Sequence, residues 1–218
     1  MKDKRANDDP QRKKAKNGSG VTRRRFIAAV GASAGAAATL RPTLGTSAPG
    51  ELLEGASMKR ITLHINGTPR ELLVDCRWTL LRVLRLQLGL SAAKAGCERG
   101  ECGSCTVLID SKARYACLTL AVEAEGHEIT TLEGLMDGER LSDLQRAFVE
   151  EDAFQCGYCT PGQIVAAEAL LITTREPSRE EIRQGMSGNL CRCGSYEHIN
   201  RAVARCARER NTHEGASS

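Results

Sequence analysis

A chain of 218 residues has room for one large or two small domains, and its 41% hydrophobic and 27% charged content is that of a globular protein. No apolar run of about 18 residues crosses the body, so a polytopic membrane protein is excluded. The net charge of +4 hints at nucleic acid, but ten of the 31 Lys/Arg and only three of the 27 Asp/Glu lie in residues 1–25. The remainder carries a net −3, which gives no support to a phosphate-binding surface.

The basic start leads into Thr22-Arg23-Arg24-Arg25-Phe26 and then an uncharged, Ala/Gly-rich stretch from Ile27 to Leu40. That stretch is too short and too weakly apolar to span a bilayer. A positive region, a modest apolar region and small residues at Thr46-Ser47-Ala48 describe a secretory signal, and the arginines directly before the apolar run resemble a twin-arginine signal. Residues 1–50 are therefore expected to be a signal peptide and flexible leader. They imply passage of the folded protein through the twin-arginine machinery to the periplasm.

Residues 58–135 read as the first domain. Ile61, Leu63 and Ile65 alternate, Asn66-Gly67 is a two-residue turn signal, and Leu72 to Val74 return, which predicts a hairpin. Thr79 precedes a helix with apolar positions Leu80, Leu81, Leu84 and Leu88, ended by Gly89. Strands are expected at about 105–110 and 115–121 around Asp110-Ser111-Lys112, with a short one near Ile129.

The pattern turns helical over residues 137–210. Leu141, Leu144, Phe148 and Val149 are expected on one face, and Thr160-Pro161 reads as an N-cap and first-turn proline before Ile164, Val165 and Leu170. Ser178-Arg179-Glu180-Glu181 is a capping box, and a last helix is expected from about Glu197 to Arg208. Four short helices result, followed by a flexible tail over 211–218.

Eight of the ten cysteines fall into two groups of four. Cys97, Cys102, Cys105 and Cys117 have the C-x4-C-x2-C…C spacing of a plant-type [2Fe–2S] site, with Gly96, Gly100 and Gly103 letting the loop turn around a compact core. Cys156-x2-Cys159 and Cys191-x-Cys193 could bind a second cluster or a tetrahedral ion, although C-x-C is tight for zinc. Disulfides are a further reading in an oxidising compartment. Cys76 and Cys206 are left over and read as buried thiols. His64, His127, His198 and His213 show no carboxylate partner in the sequence and read as surface or strand residues. Trp78 reads as core or subunit contact, and Arg175, Arg179 and Arg183 as a solvated face.

CERGECGSC at 97–105, QCGYCTPG at 155–162 and SGNLCRCGSY at 187–196, in that order, resemble the iron–sulfur subunits of the xanthine dehydrogenase/aldehyde oxidase family of molybdenum hydroxylases. The similarity covers about residues 58–210. The chain departs at Cys193-Gly194-Ser195-Tyr196, where many members carry Cys-Thr-Gly-Tyr, and both ligands remain in place.

The resemblance implies an α+β protein: an N-terminal β-grasp plant-type ferredoxin domain followed by a C-terminal four-helix [2Fe–2S] domain. It assigns Cys97, Cys102, Cys105 and Cys117 to one cluster, and Cys156, Cys159, Cys191 and Cys193 to a second one nearer molybdenum. It places Gln155 and Cys193 beside the pterin of a molybdenum cofactor in a large partner subunit. Electrons would pass from molybdenum through the second cluster and then the first, toward an FAD-binding medium subunit or an external acceptor. With the export signal, the resemblance is to the small subunit of periplasmic aldehyde oxidoreductases. A free-standing periplasmic carrier and the subunit of an N-heterocycle hydroxylase (isoquinoline-, nicotinate- or xanthine-like) are the alternatives.

Overall fold

The computed structural model describes residues 57–136 and 138–215, together with Thr22 and Arg24. The expected leader, apart from those two residues, lies outside them. From residue 57 onward the described chain belongs to one compact unit.

Asn66 and Gly67 take left-handed dihedrals, φ 52° and 72°, as a two-residue turn matched to strand twist requires. They join β1 (Met58–Ile65) to β2 (Thr68–Asp75), antiparallel with Ile65 opposite Thr68. Asp110 and Ser111, φ 49° and 64°, make the same kind of turn between β3 (Thr106–Ile109) and β4 (Lys112–Tyr115). The short β5 (Glu128–Thr130) lies parallel to β1 and antiparallel to β3, giving the order β2-β1-β5-β3-β4.

The expected strand over 115–121 is a correction. Pairing stops at Tyr115 because the backbone must turn to bring Cys117 inward. Leu118 N–H donates to Tyr115 O, and a 3-10 turn follows at Ala121–Glu123.

Helix α1 (Leu80–Leu86) begins where Thr79 Oγ1 accepts from Arg82 N–H at 3.3 Å, as the sequence leads one to expect. It stops before Leu88. Leu90 N–H reaches back to Leu84 O at 2.9 Å across Gly89, whose φ is +69°. Leu80, Val83 and Leu84 pack with Ile61, Leu63, Val74, Val107 and Ile129 in a core between helix and sheet.

Four of the five helices among the described residues lie beyond residue 137: α2 (Asp143–Glu150), α3 (Thr160–Thr173), α4 (Arg179–Gly185) and α5 (Tyr196–Gly215). Ser142 and Ser178 both close capping boxes, with Gln145 and Glu181 respectively. Leu144 and Phe148 are buried, but Leu141 and Val149 are exposed. Leu141 precedes the Ser142 cap, and Val149, five residues past Leu144, points about 140° away from it.

Helix α3 is buried around most of its circumference, which makes it the centre of this half. Its N-cap is Cys159, with no side-chain hydrogen bond, rather than Thr160. The turn carrying Cys156 and Cys159 runs straight into the helix.

Helix α5 continues past Arg208 to Gly215, so residues 211–215 are helix where a tail was expected. Arg210 binds Glu168 of α3 through two bonds of 3.1 and 2.8 Å, and Asn211 Nδ2 donates to Glu176 at 3.1 Å. Residues 216–218 lie outside the described part.

Strand β3 joins the two halves. Val107 points into the sheet–helix core, while Leu108 packs on Val165 and Ala169 of α3. Among the described residues no helix is long and apolar enough to cross a membrane.

Candidate metal centres

The loop from Cys97 to Cys105 wraps tightly because Gly100 and Gly103 sit at φ +79° and +71° and Glu98 at 54°. A Cβ on Gly96 would lie 2.9 Å from Cys102 Sγ, so that glycine makes room for sulfur. Cys105 and Cys117 are buried, and Cys97 and Cys102 half-buried.

The thiols pair. Cys97 lies within hydrogen-bond reach of Cys102, and Cys105 of Cys117. Glu101 N–H donates to Cys97 Sγ at 3.3 Å. The backbone N–H of Arg99 is the main influence pulling the Cys97 pKa down to about 7, whereas burial pushes Cys105 up to about 12.

The second group repeats this arrangement on helices. Cys156 pairs with Cys193 and Cys159 with Cys191. The N–H of Tyr158 lowers the Cys156 pKa, and burial raises that of Cys159 to about 12. Cys191 N–H donates to Tyr196 Oη at 2.9 Å, fixing one ligand against the first turn of α5. Cys191 is buried, and Cys156 and Cys193 are exposed. Gln155 is exposed beside them.

Two pairs per group is what a binuclear core asks of its ligands, since each iron of a [2Fe–2S] rhomb takes two thiolates. No three or more His, Cys, Asp or Glu side chains among the described residues converge on a point suited to a single ion. The ten cysteines stand as free thiols. Cys105 and Cys159, whose pKa values burial raises, need a cationic partner to ionise, and iron would supply one. Both groups therefore fit a [2Fe–2S] cluster.

The two loops touch backbone to backbone. Leu190 N–H donates to Cys102 O at 2.9 Å, a single bond from the neighbour of one ligand to the carbonyl of another. Asn189 Nδ2 donates to Gly103 O at 2.9 Å and to Thr106 Oγ1 at 3.1 Å, while Gln163 Nε2 donates to Asn189 O at 2.9 Å. Tyr115 Oη donates to Gly188 O at 2.8 Å and Tyr158 Oη to Ala95 O at 3.0 Å. A Cβ on Gly103 would stand 2.5 Å from Gly188 O, and one on Gly162 would overlap Gly103 O. A cleft of about 430 Å3 between the loops is lined by Cys97, Cys102, Cys156, Cys159 and Cys191.

Sequence reasoning missed Asn189, Gln163 and Tyr115. The one signal for them was polarity where the surroundings are apolar, as at Gln163 in α3. His64 lies on β1 and His127 is exposed, as expected of surface or strand residues, but the expected lack of a carboxylate partner is corrected. His64 Nδ1 lies 3.3 Å from Glu128 and His127 Nδ1 2.5 Å from Asp110, partners brought near only by the sheet. Cys206 is buried, with its pKa raised to about 11 by burial, but Cys76 is only half-buried, with Sγ 3.7 Å from Ser57 Oγ. Arg179 and Arg183 lie on an exposed face and pair with Glu197 and Glu180.

Eight cysteines paired around two abutting loops define a protein built for two [2Fe–2S] clusters. Residues 63–131 match the 2Fe-2S iron-sulfur cluster binding domain, and residues 131–204 the [2Fe-2S] binding domain. The chain belongs to the iron–sulfur small subunits of the xanthine dehydrogenase/aldehyde oxidoreductase family. It is 42% identical over 203 residues to the aldehyde oxidoreductase iron-sulfur-binding subunit PaoA of Escherichia coli K12, covering 85% of this chain and 88% of that one. The nicotinate dehydrogenase small FeS subunit of Eubacterium barkeri is 46% identical over 151 residues, or 67% of this chain and 96% of the relative. Among solved structures, quinoline 2-oxidoreductase of Pseudomonas putida 86 matches with TM-score 0.66 and 49% identity, over 70% of this chain and 97% of that one.

Proposed function

We propose that this chain is the electron-transfer subunit of a periplasmic molybdenum hydroxylase of aldehyde oxidoreductase type. In this reading residues 58–135 form a β-grasp ferredoxin domain and residues 137–210 a four-helix cluster domain. When bound, the two [2Fe–2S] clusters supply a one-electron relay from the molybdenum-pterin cofactor of a large subunit toward an FAD subunit or an external acceptor.

The observation that carries the reading is the Leu190 N–H···O=C Cys102 bond, which joins the two ligand sets through a short covalent and hydrogen-bonded path. Cys97, Cys102, Cys105 and Cys117 hold one cluster. Cys156, Cys159, Cys191 and Cys193 hold the other. Burial of Cys105, Cys117 and Cys191 keeps water from the inner edge of each site. Gln155 and Cys193 are exposed at the second centre, with exposed Phe154 and Tyr158 close to the one in sequence and exposed Leu190 and Tyr196 close to the other. Such an apolar, aromatic rim suits a lasting protein contact and supports the large subunit docking there, with Gln155 and Cys193 against the pterin.

Export rests on the Arg23-Arg24-Arg25 run before the apolar stretch, and the aldehyde assignment draws support from how far the PaoA match extends. It covers a larger share of this chain than residues 57–218 comprise, and so reaches into the leader. The nicotinate and quinoline relatives favour an N-heterocycle substrate as the second reading, but their matches cover less of the chain.

Metal and labile-sulfide analysis of the complex purified from its own cells tests the proposal. About four iron, about four sulfide and about one molybdenum per chain are expected. Zinc, or an absence of iron, would overturn it. Export is tested by fractionation: Arg23→Lys/Arg24→Lys should hold the protein in the cytoplasm, and periplasmic arrival of that variant would remove the twin-arginine route.

A further inference from the structure

Beside the first centre lies a cleft of about 440 Å3 whose lining includes Arg77, Trp78, Arg82, Arg85, Leu86 and Glu98. Arg82 and Arg85, three apart on α1, share one helix face. The Arg82 guanidinium stands 4.9 Å from the centroid of the Trp78 ring. Arg85 Nη1 donates to Ser91 O and Ala93 O, both at 2.9 Å, which holds its charge in place. Asp75 pairs with Arg77 and its charge also reaches Arg82, but among the described residues neither Arg82 nor Arg85 forms a direct ion pair with a carboxylate. Glu98 is the one acid of the lining. Leu86, 71% exposed, adds apolar surface at the edge. Ala95 and Glu98 flank Gly96-Cys97, so whatever fills the cleft touches the ligand loop itself.

The two centres thus present different surfaces. The rim of the second is apolar and aromatic, as lasting interfaces are. The cleft at the first is small and cationic, the kind of surface that steers charged partners into contact. We propose that the Arg82/Arg85/Trp78 cleft docks the acidic face of the protein that takes electrons from the first centre. The proposal rests on the relay reading above. In the transfer one electron leaves the reduced centre and reduces one oxidised centre of the acceptor, and no bond is made or broken.

Native and fully succinylated cytochrome c carry the same haem with opposite surface charge, and so serve as probes. The full chain, loaded with clusters, is titrated with each, and docking is read from quenching of Trp78, the one tryptophan of the chain. In parallel, the dithionite-reduced chain is reoxidised by each cytochrome and by neutral 1,4-benzoquinone in stopped flow. At low salt the succinylated form should bind about tenfold tighter than the native one, with the gap closing as salt rises. Arg82→Glu, which removes no side-chain hydrogen bond, should weaken succinylated binding about fivefold, and Arg82→Glu/Arg85→Glu more than tenfold, with benzoquinone rates unchanged. The leader is common to all these proteins, so a difference between them belongs to the cleft. Equal binding of both cytochromes, or variants that bind as the wild type does, would overturn the proposal. Failure of benzoquinone to reoxidise the wild type would sink the relay reading itself, and the docking site with it.

Discussion

The side-chain amide of Asn189 donates to the carbonyl oxygen of Gly103 at 2.9 Å, although 86 positions separate them in the chain. The same amide reaches Thr106 Oγ1 at 3.1 Å, and Asn189 itself is 4% exposed. Asn189→Ala removes two buried hydrogen bonds and leaves a small void, at a cost of about 1–3 kcal/mol. Thermal melts of the cluster-loaded protein should show the drop. An unchanged melting temperature would mean the clamp contributes nothing.

Gly162 meets Gly103 with no space between them, and the obstacle is backbone rather than a movable side chain. Gly162→Ala is therefore expected to force the two cysteine loops apart, costing about 3 kcal/mol or more. Both visible chromophores should weaken together. Loss of only one, or of neither, would contradict the tight seam.

Cys102→Ser and Cys159→Ser separate the two centres. Each should remove about half of the iron, and each should abolish a different one of two low-temperature spin-resonance signals. Because Cys102 O accepts from Leu190 N–H, the serine at 102 should also shift the surviving signal slightly. Identical losses from both variants would show that the cysteines do not divide as assigned.

The Asp75 carboxyl, held between the Arg77 side chain and backbone N–H, has its pKa lowered from 3.8 to about 2. A carboxylate with a lowered folded-state value contributes stability above its unfolded value, lost as pH falls toward the folded one. Wild type should therefore melt above Asp75→Asn by a constant margin from pH 7 to pH 5. The margin should narrow as pH falls from about 4 toward about 2. A margin independent of pH would assign the effect to packing, followed by circular dichroism.

Local signals carried far into this structure. The Asn66-Gly67 turn, the Thr79 cap and the Ser178 capping box are fixed by residues within four positions, and each stands where its side chains put it. The cysteine spacing likewise marked the two groups of four thiols that the fold brings together in pairs. What stayed hidden depends on contacts distant in sequence. The end of β4 at Tyr115 follows from the inward course of Cys117, not from β propensity. The continuation of α5 to Gly215 rests on Arg210 and Asn211 reaching across to Glu168 and Glu176. His127 finds Asp110 only after the strands pair. The seam between the cysteine loops was the least legible part, since Gly103 reads only as a turn residue and nothing local marks the close approaches at Gly162 and Gly188.

That seam also makes the two cysteine groups depend on each other. The loop that supplies Cys102 and residues 188–191 rest on each other, so neither group of cysteines takes its final shape alone. Strain in either loop is passed to the other through backbone atoms, so the geometry of each thiol group is tuned by its neighbour's main chain.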